Sequence, residues 1–386
     1  MSLRSLSTNS SRIAIILFSN FIISVLQSNL ASLFSLVGPD FGQGVAGLGI
    51  ASSLMFLGIC SAEIPGGILE ARIGARNAIA YMMFLCAAAS TVGSLTTSFS
   101  IFLVTRFAIG IGIGAAFPAV IVILTRYFKS GSEGTAVGWN SLSYNLGYVA
   151  GLAGWAILGS LLGWRISLLL GGVFSAALGI LMIISLPKLE TGLQNFKLSI
   201  SDLKLAFSNR QVSLLTITLF GIGASSNIAT NFLVYFLETQ ARLPPSEAGL
   251  IGGVGPLFAF TAPFIGRYYD RTGRLKMWML FASLVIAGGV AVNTFGTADA
   301  GILSSILVSV GASTGYTVGL TKARQIGKLI RSEYESVTVA WTDSISLLGG
   351  FVAPIVFSAV VTGAGYRVAW PAGSLFALVL VFAIFL

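Results

Sequence analysis

Twelve apolar runs, each about as long as a bilayer's hydrocarbon core is thick, decide what this chain can fold into. About 20 consecutive apolar residues make one spanning helix. Runs of that kind occupy residues 13–37, 46–69, 78–97, 101–125, 135–160, 166–186, 212–238, 247–268, 277–296, 301–321, 337–361 and 368–386. The first is too long for a signal-peptide core and has no obvious small-residue cleavage site, so it reads as an uncleaved span. Most connections are short, as compact helical bundles require. The exception is residues 187–211, a polar and basic stretch between the sixth and seventh runs. The expected architecture is an all-α membrane protein of twelve spans. Residues 1–186 form one six-helix half, 187–211 a cytoplasmic linker and 212–386 a second six-helix half.

Charge sets the orientation and removes whole classes of function. Only 9% of the residues are charged, against about 25% in a soluble domain. The net charge of +9 could suggest nucleic acid. The basic residues, however, lie in short loops between apolar runs, which is the pattern of a cytoplasmic membrane surface. With the N-terminus inside, 18 of the 22 Lys and Arg residues fall on the cytoplasmic side, and three (Arg165, Arg242, Arg367) fall outside. Both termini are therefore expected in the cytoplasm. The chain has no histidine, which removes H-E-x-x-H metal sites, Ser-His triads and histidine proton switches. Cys60 and Cys86 sit inside apolar runs and read as packing residues. No metal or cofactor is expected. Gly311-Ala312-Ser313-Thr314-Gly315 has the spacing of a hydrolase elbow, but it lies within a span and no histidine exists to serve as base. There is no Walker-type sequence, so ATP-driven transport within this chain has no support. The expected partners are the bilayer, protons and a small solute, with no nucleic acid, and the chain is expected to be a monomer.

The two halves repeat each other. Residues 266–276 read G-R-Y-Y-D-R-T-G-R-L-K, and 199 residues earlier residues 67–76 read G-I-L-E-A-R-I-G-A-R. Gly67, Arg72 and Gly74 match Gly266, Arg271 and Gly273. Ala71 stands where Asp270 would be, with Glu70 displaced by one. Gly163-Trp164-Arg165 opens the sixth span as Gly365-Tyr366-Arg367 opens the twelfth. The stretch from Asn140 in span five matches that from Asp343 in span eleven. Repeats in one orientation imply a pseudo-twofold axis along the membrane normal, with a site between the halves near mid-membrane.

Polar groups inside the spans are the candidates for that site. A charge at the bilayer centre costs at least about 2.5–3.5 kcal/mol, so it usually faces a cavity or a partner. Glu63 in span two and Asp343 in span eleven are the clearest carboxylates. Either they share a proton, or each bonds nearby serines, or they pair with Arg72 or Arg76. Arg106 lies roughly 9 Å into span four at 1.5 Å per residue. It is either a clamp for a substrate carboxylate and counter-charge to the proton site, or a packing residue bonded to a neighbouring helix. Span one offers Asn20, Ser24, Gln27 and Asn29. Span five offers Asn140, Tyr144, Asn145 and Tyr148, and span seven Asn227, Thr230, Asn231 and Tyr235. Span ten adds Tyr316 and Thr317. Asn20, Gln27, Arg106, Asn140, Tyr144, Asn145, Asn227, Asn231 and Tyr316 are the expected substrate contacts. Amides within spans also simply join helices.

Twelve spans as six plus six, a central loop and the G-x-x-x-D-R-x-G-R turn together resemble the major facilitator superfamily. The likeness extends to span four, where Arg106-x-x-x-Gly110-x-Gly112-x-Gly114 with Pro118 is similar to the family's Arg-Gly helix. The resemblance implies a secondary transporter working by alternating access. It implies that spans one and seven line the cavity, and that spans two and eleven pack across the halves on the cytoplasmic side. It also makes Gly266, Asp270, Arg271, Gly273 and Arg274 a gating latch, with Gly67, Arg72 and Gly74 as its counterpart. The plain alternative is that these basic residues only anchor helix ends. Gly147-x-x-x-Gly151-x-x-Gly154 is similar to the family's antiporter motif, but Leu152 replaces its usual proline. The expected function is proton-coupled transport of a small organic anion or polar metabolite across the cytoplasmic membrane. The alternatives are a multidrug or cation efflux antiporter and a non-transporting sensor on the same scaffold.

Overall fold

The computed structural model describes residues 3–125, 127–128, 133–187, 209–330 and 334–386. Apart from its ends, the linker expected at 187–211 lies outside the described residues, as do Arg126, Lys129, Lys188, Lys197, Lys204 and Arg331. Among the described residues every element is helical, and twelve helices are long and apolar enough to cross a membrane. In chain order, spans one to six are Ser10–Asp40, Val45–Glu70, Ala75–Leu95, Phe99–Leu124, Trp139–Leu162 and Trp164–Ser185. Spans seven to twelve are Arg210–Thr239, Pro245–Thr272, Leu275–Phe295, Ala298–Leu329, Trp341–Ala364 and Tyr366–Phe385. An even number of crossings returns the chain to the side on which it began. That side also carries Arg72, Arg76, Arg267, Arg271, Arg274 and Lys276, and is called the basic end below.

Three spans depart from the apolar runs that mark them, each for a physical reason. Span ten was expected to stop at residue 321. Its helix continues to Ile330 and carries Lys322, Arg324 and Lys328 beyond the apolar stretch. An apolar run measures lipid thickness, whereas a helix ends where its backbone partners end. Span one is two helices, Leu3–Gln27 and Asn29–Asp40, interrupted at Ser28, whose hydroxyl donates to the Val25 carbonyl at 2.9 Å. Span eight divides into Pro245–Leu257, a 3-10 turn at Phe258–Thr261 and Ala262–Thr272. Pro256 and Pro263 flank the break, and proline removes an N–H donor and crowds the preceding turn.

The repeat is visible in the backbone. Gly163 and Gly365, the first residues of the two matching tripeptides, take φ 80°, ψ 159° and φ 79°, ψ 170°. A side chain would strain both turns. Within the first half, spans two and four meet backbone to backbone. Gly58 lies against Phe107 and Gly110, Gly66 against Ala115, and Gly114 against Ile59. Small residues let helices approach closely where no hydrophobic force drives them together. Gly147 and Gly151 do the same for spans five and one, resting on Phe21 and Val25.

Between the halves, the close contacts cluster at the end opposite the basic one. Gly49 meets Pro354 and Ser358, while Gly249 and Gly253 meet Leu152 and Val149. Phe34 meets Tyr235 edge to face with ring centroids 5.7 Å apart. Spans two and eleven, five and eight, and one and seven thus seal the far end. Toward the basic end the halves stand apart around a cavity.

Candidate functional site

The cavity holds about 450 Å³ and is walled by spans one, two, four and five from one half and seven, eight, ten and eleven from the other. Spans three, six, nine and twelve contribute nothing to the lining. Of the residues expected to act, Gln27, Glu63, Tyr144, Asn145, Asn227, Tyr316 and Asp343 come together on this wall.

Beside the carboxyl pair, a polar bridge joins the halves near the middle of the cavity. Ser344 on span eleven donates its hydroxyl to Glu63 Oε2 on span two at 2.8 Å. Asp343, the residue before Ser344, lies within electrostatic reach of Glu63. Cys60, Tyr144 and Tyr316 stand around the pair, and none of them carries a positive charge. Arg72, on the basic end of span two, makes no ion pair with either acid.

Two amides on the wall have a fixed orientation. Asn145 Nδ2 donates to the Ser141 carbonyl and Asn227 Nδ2 to the Gly223 carbonyl, both at 2.8 Å. A carbonyl only accepts, so one N–H of each amide is held against its own helix, while its oxygen and second N–H remain for other partners. Tyr144 donates its hydroxyl to Gln27 Oε1 at 2.6 Å. Its ring packs with Phe117 (6.1 Å between centroids) and Tyr148 (6.4 Å), making an aromatic shelf on the first half.

The remaining expected contacts lie off the wall. Asn20 Nδ2 donates to the backbone carbonyl of Asn140 at 2.8 Å, and both side chains are buried between spans one and five. Asn231 is buried and donates to Asn227 O at 2.8 Å on its own helix. Arg106 is fully buried among spans one, three and four, with Nη1 on Asn29 Oδ1 at 3.1 Å and its guanidinium 4.7 Å from the Phe102 ring centroid. It reaches neither the cavity nor the carboxyl pair in this conformation. A clamp on substrate and a counter-charge both require contact, and the surrounding helices prevent it.

Thr317, already a candidate from the sequence, is the last member of a hydroxyl stripe on span ten whose three serines the sequence reading does not single out for the wall. Ser305, Ser309, Ser313 and Thr317 recur every four residues and line the wall together. That spacing puts them on one helix face and was readable in the sequence. Ser313 was set aside with the hydrolase-like spacing. The flanking glycines pack outward, Gly311 on Ile286 and Gly315 on Ile222, while the serine between them faces the cavity.

The charged turns sit at the basic end. Asp270, Arg271, Gly273 and Arg274 are exposed, and Gly266 is half-buried beside Thr317. Among the described residues Asp270 makes no hydrogen bond or ion pair. In the first half Arg72 is exposed, and Gly67 and Gly74 are half-buried. Glu70 is only 6% exposed and is held by an electrostatic or hydrogen-bonded contact.

Relatives and solved structures agree with this geometry. The chain is 30% identical over 149 residues to a 4-hydroxybenzoate transporter of Pseudomonas aeruginosa, an alignment covering 39% of this chain and 33% of that protein. It is 22% identical over 364 residues to the 3-(3-hydroxy-phenyl)propionate transporter of Escherichia coli, covering 92% and 89% of the two chains. The fold matches a bacterial homolog of the human lysosomal transporter Spinster, in its inward-facing and unoccupied conformation. That match has a TM-score of 0.78 and 15% identity, with 97% and 96% of the chains covered. A D323A mutant of the nucleoside transporter NupG gives a TM-score of 0.79 at 17% identity, with 96% and 99% covered. At such identities the structures speak for the fold alone. The family model described as Major Facilitator Superfamily matches residues 16–354, and with twelve spans closing on one central cavity the chain belongs to that superfamily.

Proposed function

We propose that this membrane protein is a proton-coupled secondary transporter of a small organic solute. In this reading residues 1–186 and 212–386 rock as two bodies around the central cavity. Both termini lie in the cytoplasm, so the cavity is open on the cytoplasmic side. The distribution of 18 of 22 basic residues supports that orientation. The names of the relatives, transporters of 4-hydroxybenzoate and of a hydroxyphenylpropionate, support a small organic solute.

One observation carries the coupling: Glu63 and Asp343 share the cavity wall from opposite halves, bridged by Ser344. Two carboxylates this close repel when both are charged, and a single shared proton relieves the repulsion. Rocking moves span two relative to span eleven and must break the Ser344–Glu63 bond. Protonation of the pair and closure of the cavity are thereby linked through the same atoms. Alternating access requires that the far seal open as the basic end closes. Among the described residues no ion pair crosses that seal, so no salt bridge must break for it to part. Arg106 has no part in this mechanism, since its environment walls it off from solute and proton alike.

The test is reconstitution into liposomes with a pH-sensitive dye inside, challenged with aromatic acids, neutral aromatics and aromatic amines, with protein-free vesicles as background. A solute-triggered proton signal in the native chain, absent in Asp343→Asn and in Glu63→Gln, is the expected result. Transport whose pH dependence survives both substitutions would sink the coupling. Absence of flux in the radiotracer version of the same assay would favour a sensor.

A further inference from the structure

We infer that the solute this cavity takes is a cation, an aromatic ammonium, which occupies the same carboxyl pair as the proton and exchanges with it. This deepens the reading of Glu63 and Asp343 as the coupling site, and rests on it. The inference comes from what the walls offer a solute. The ionisable acids on the described walls are two carboxyls, and the amides and hydroxyls beside them, such as Asn145, Asn227, Ser309 and Ser313, carry no charge. Among the described residues no lysine or arginine lines the cavity. The nearest buried cation, Arg106, is fully enclosed against Asn29 and Phe102. An organic anion entering here would join a carboxyl pair that keeps a negative charge even with its shared proton, with no lysine or arginine on the described wall to offset it, and burying an unpaired charge is expensive.

The opposite wall suits the other half of such a solute. The rings of Phe117, Tyr144 and Tyr148 form a shelf, and the Tyr144 hydroxyl is already spent on Gln27. What remains available is ring surface, which stacks aromatic groups and attracts cations within about 6 Å. A volume of about 450 Å³ lies in the range of small-molecule sites. The relatives' names pair an aromatic ring with an acid. The shelf agrees with the ring, and the two carboxyls favour the opposite charge. The groups facing the carboxyl pair from the packed elements are Cys60, Tyr144, Tyr316 and Ser344. None supplies positive charge, so among the described groups nothing but a proton or a bound cation neutralises the pair. Binding one displaces the other: the carboxyl O–H breaks, the proton leaves to solvent, and the ammonium takes its place.

Purified protein in detergent micelles, in weak buffer at pH 7, tests this by calorimetric titration alongside a pH dye. The probes are phenyltrimethylammonium, benzoate and benzyl alcohol, which differ in charge at similar size. The ammonium is expected to bind at least ~10-fold tighter than the other two and to release protons on binding. Asp343→Asn removes the proton release, and Tyr144→Leu weakens the ammonium more than the alcohol. Thermal melts report whether each variant is folded. Benzoate binding tightest, with proton uptake lost in Asp343→Asn, would overturn the cation assignment while leaving the proton-coupled reading standing. Benzyl alcohol binding tightest, or no binding of the ammonium at millimolar concentration, would also overturn it. Ammonium binding with no proton release, unchanged in Asp343→Asn and Glu63→Gln, would overturn both readings together.

Discussion

Spans two and eight occupy equivalent places in the repeat and end in the same kind of charged turn, yet they are held very differently. Span two is one helix from Val45 to Ile73, running through Pro65 and pressed on span four by Gly58 and Gly66. Span eight breaks at Phe258–Thr261, and only 28% of its most apolar stretch is buried, against 61% for span two. Glu70 is buried and engaged, whereas Asp270 is exposed and free of bonds among the described residues. Arg76 donates to the Leu186 carbonyl at 3.0 Å, where a cation complements the C-terminal end of span six. Lys276, one residue past the position that matches Arg76, rests 5.3 Å from the Phe385 ring centroid. A shared motif therefore specifies a turn, and the packing around it decides whether the turn is clamped. In this conformation the first half is the fixed jaw. The basic-end part of span eight is the loose one.

That comparison can be broken in four ways, beginning with the largest effect. A disulfide between cysteines at Gly49 and Ser358, which touch across the far seal, is expected to abolish transport until reduced, with Cys60 and Cys86 replaced beforehand. Vesicle uptake with and without reductant checks it, and undiminished uptake by the oxidised form would show that the seal need not part. Next, Gly58→Leu drives a side chain into the backbone of span four, and overpacking costs about 1–3 kcal/mol or more. Gly266→Ala meets only Thr317, at an ordinary 3.4 Å, and should leave the melting temperature unchanged. Equal losses would mean that span eight is packed as tightly as span two.

Third, Glu70→Ala removes a buried, engaged group and should destabilise by about 1–3 kcal/mol. Asp270→Ala should stay within about 0.5 kcal/mol, as exposed substitutions do. Detergent melts of the pair read the difference directly. The smallest contrast is at the far end. Arg165 is 3.6 Å from Asp40 and donates to the Thr96 carbonyl at 2.8 Å, whereas Arg367 is exposed in the matching tripeptide. Arg165→Ala should cost no more than about 1 kcal/mol, because the pair is open to solvent, and Arg367→Ala should cost nothing measurable.

Much of the fold could be read from the chain because lipid leaves so few solutions. A run of about 20 apolar residues has no internal alternative to a helix, and the glycines at 163 and 365 announce matching turns. The site was only half legible. Gln27, Tyr144, Asn145, Asn227 and Tyr316 line the cavity, while Asn20, Asn140 and Asn231, of the same chemical types in the same spans, are turned into helix contacts. Polarity within a span says that a partner exists and leaves open whether it is a solute or another helix. Arg106 is the sharpest case, since its partner proved to be the amide of Asn29.

The sequence by itself determined the number of spans, the duplication, the positions of the turns and the presence of two acids within the membrane. These depend on local composition and on the thickness of lipid, which is the same for every helix. Only the tertiary structure decided that Glu63 meets Ser344 across the halves, that Arg106 is walled off, and that the described cavity wall presents two carboxyls and aromatic rings without a lysine or arginine. Those outcomes depend on the rotation of each helix about its own axis. Rotation is set by small-residue contacts such as Gly58 on Phe107 and Gly151 on Val25, summed over many neighbours that no single stretch of the chain contains.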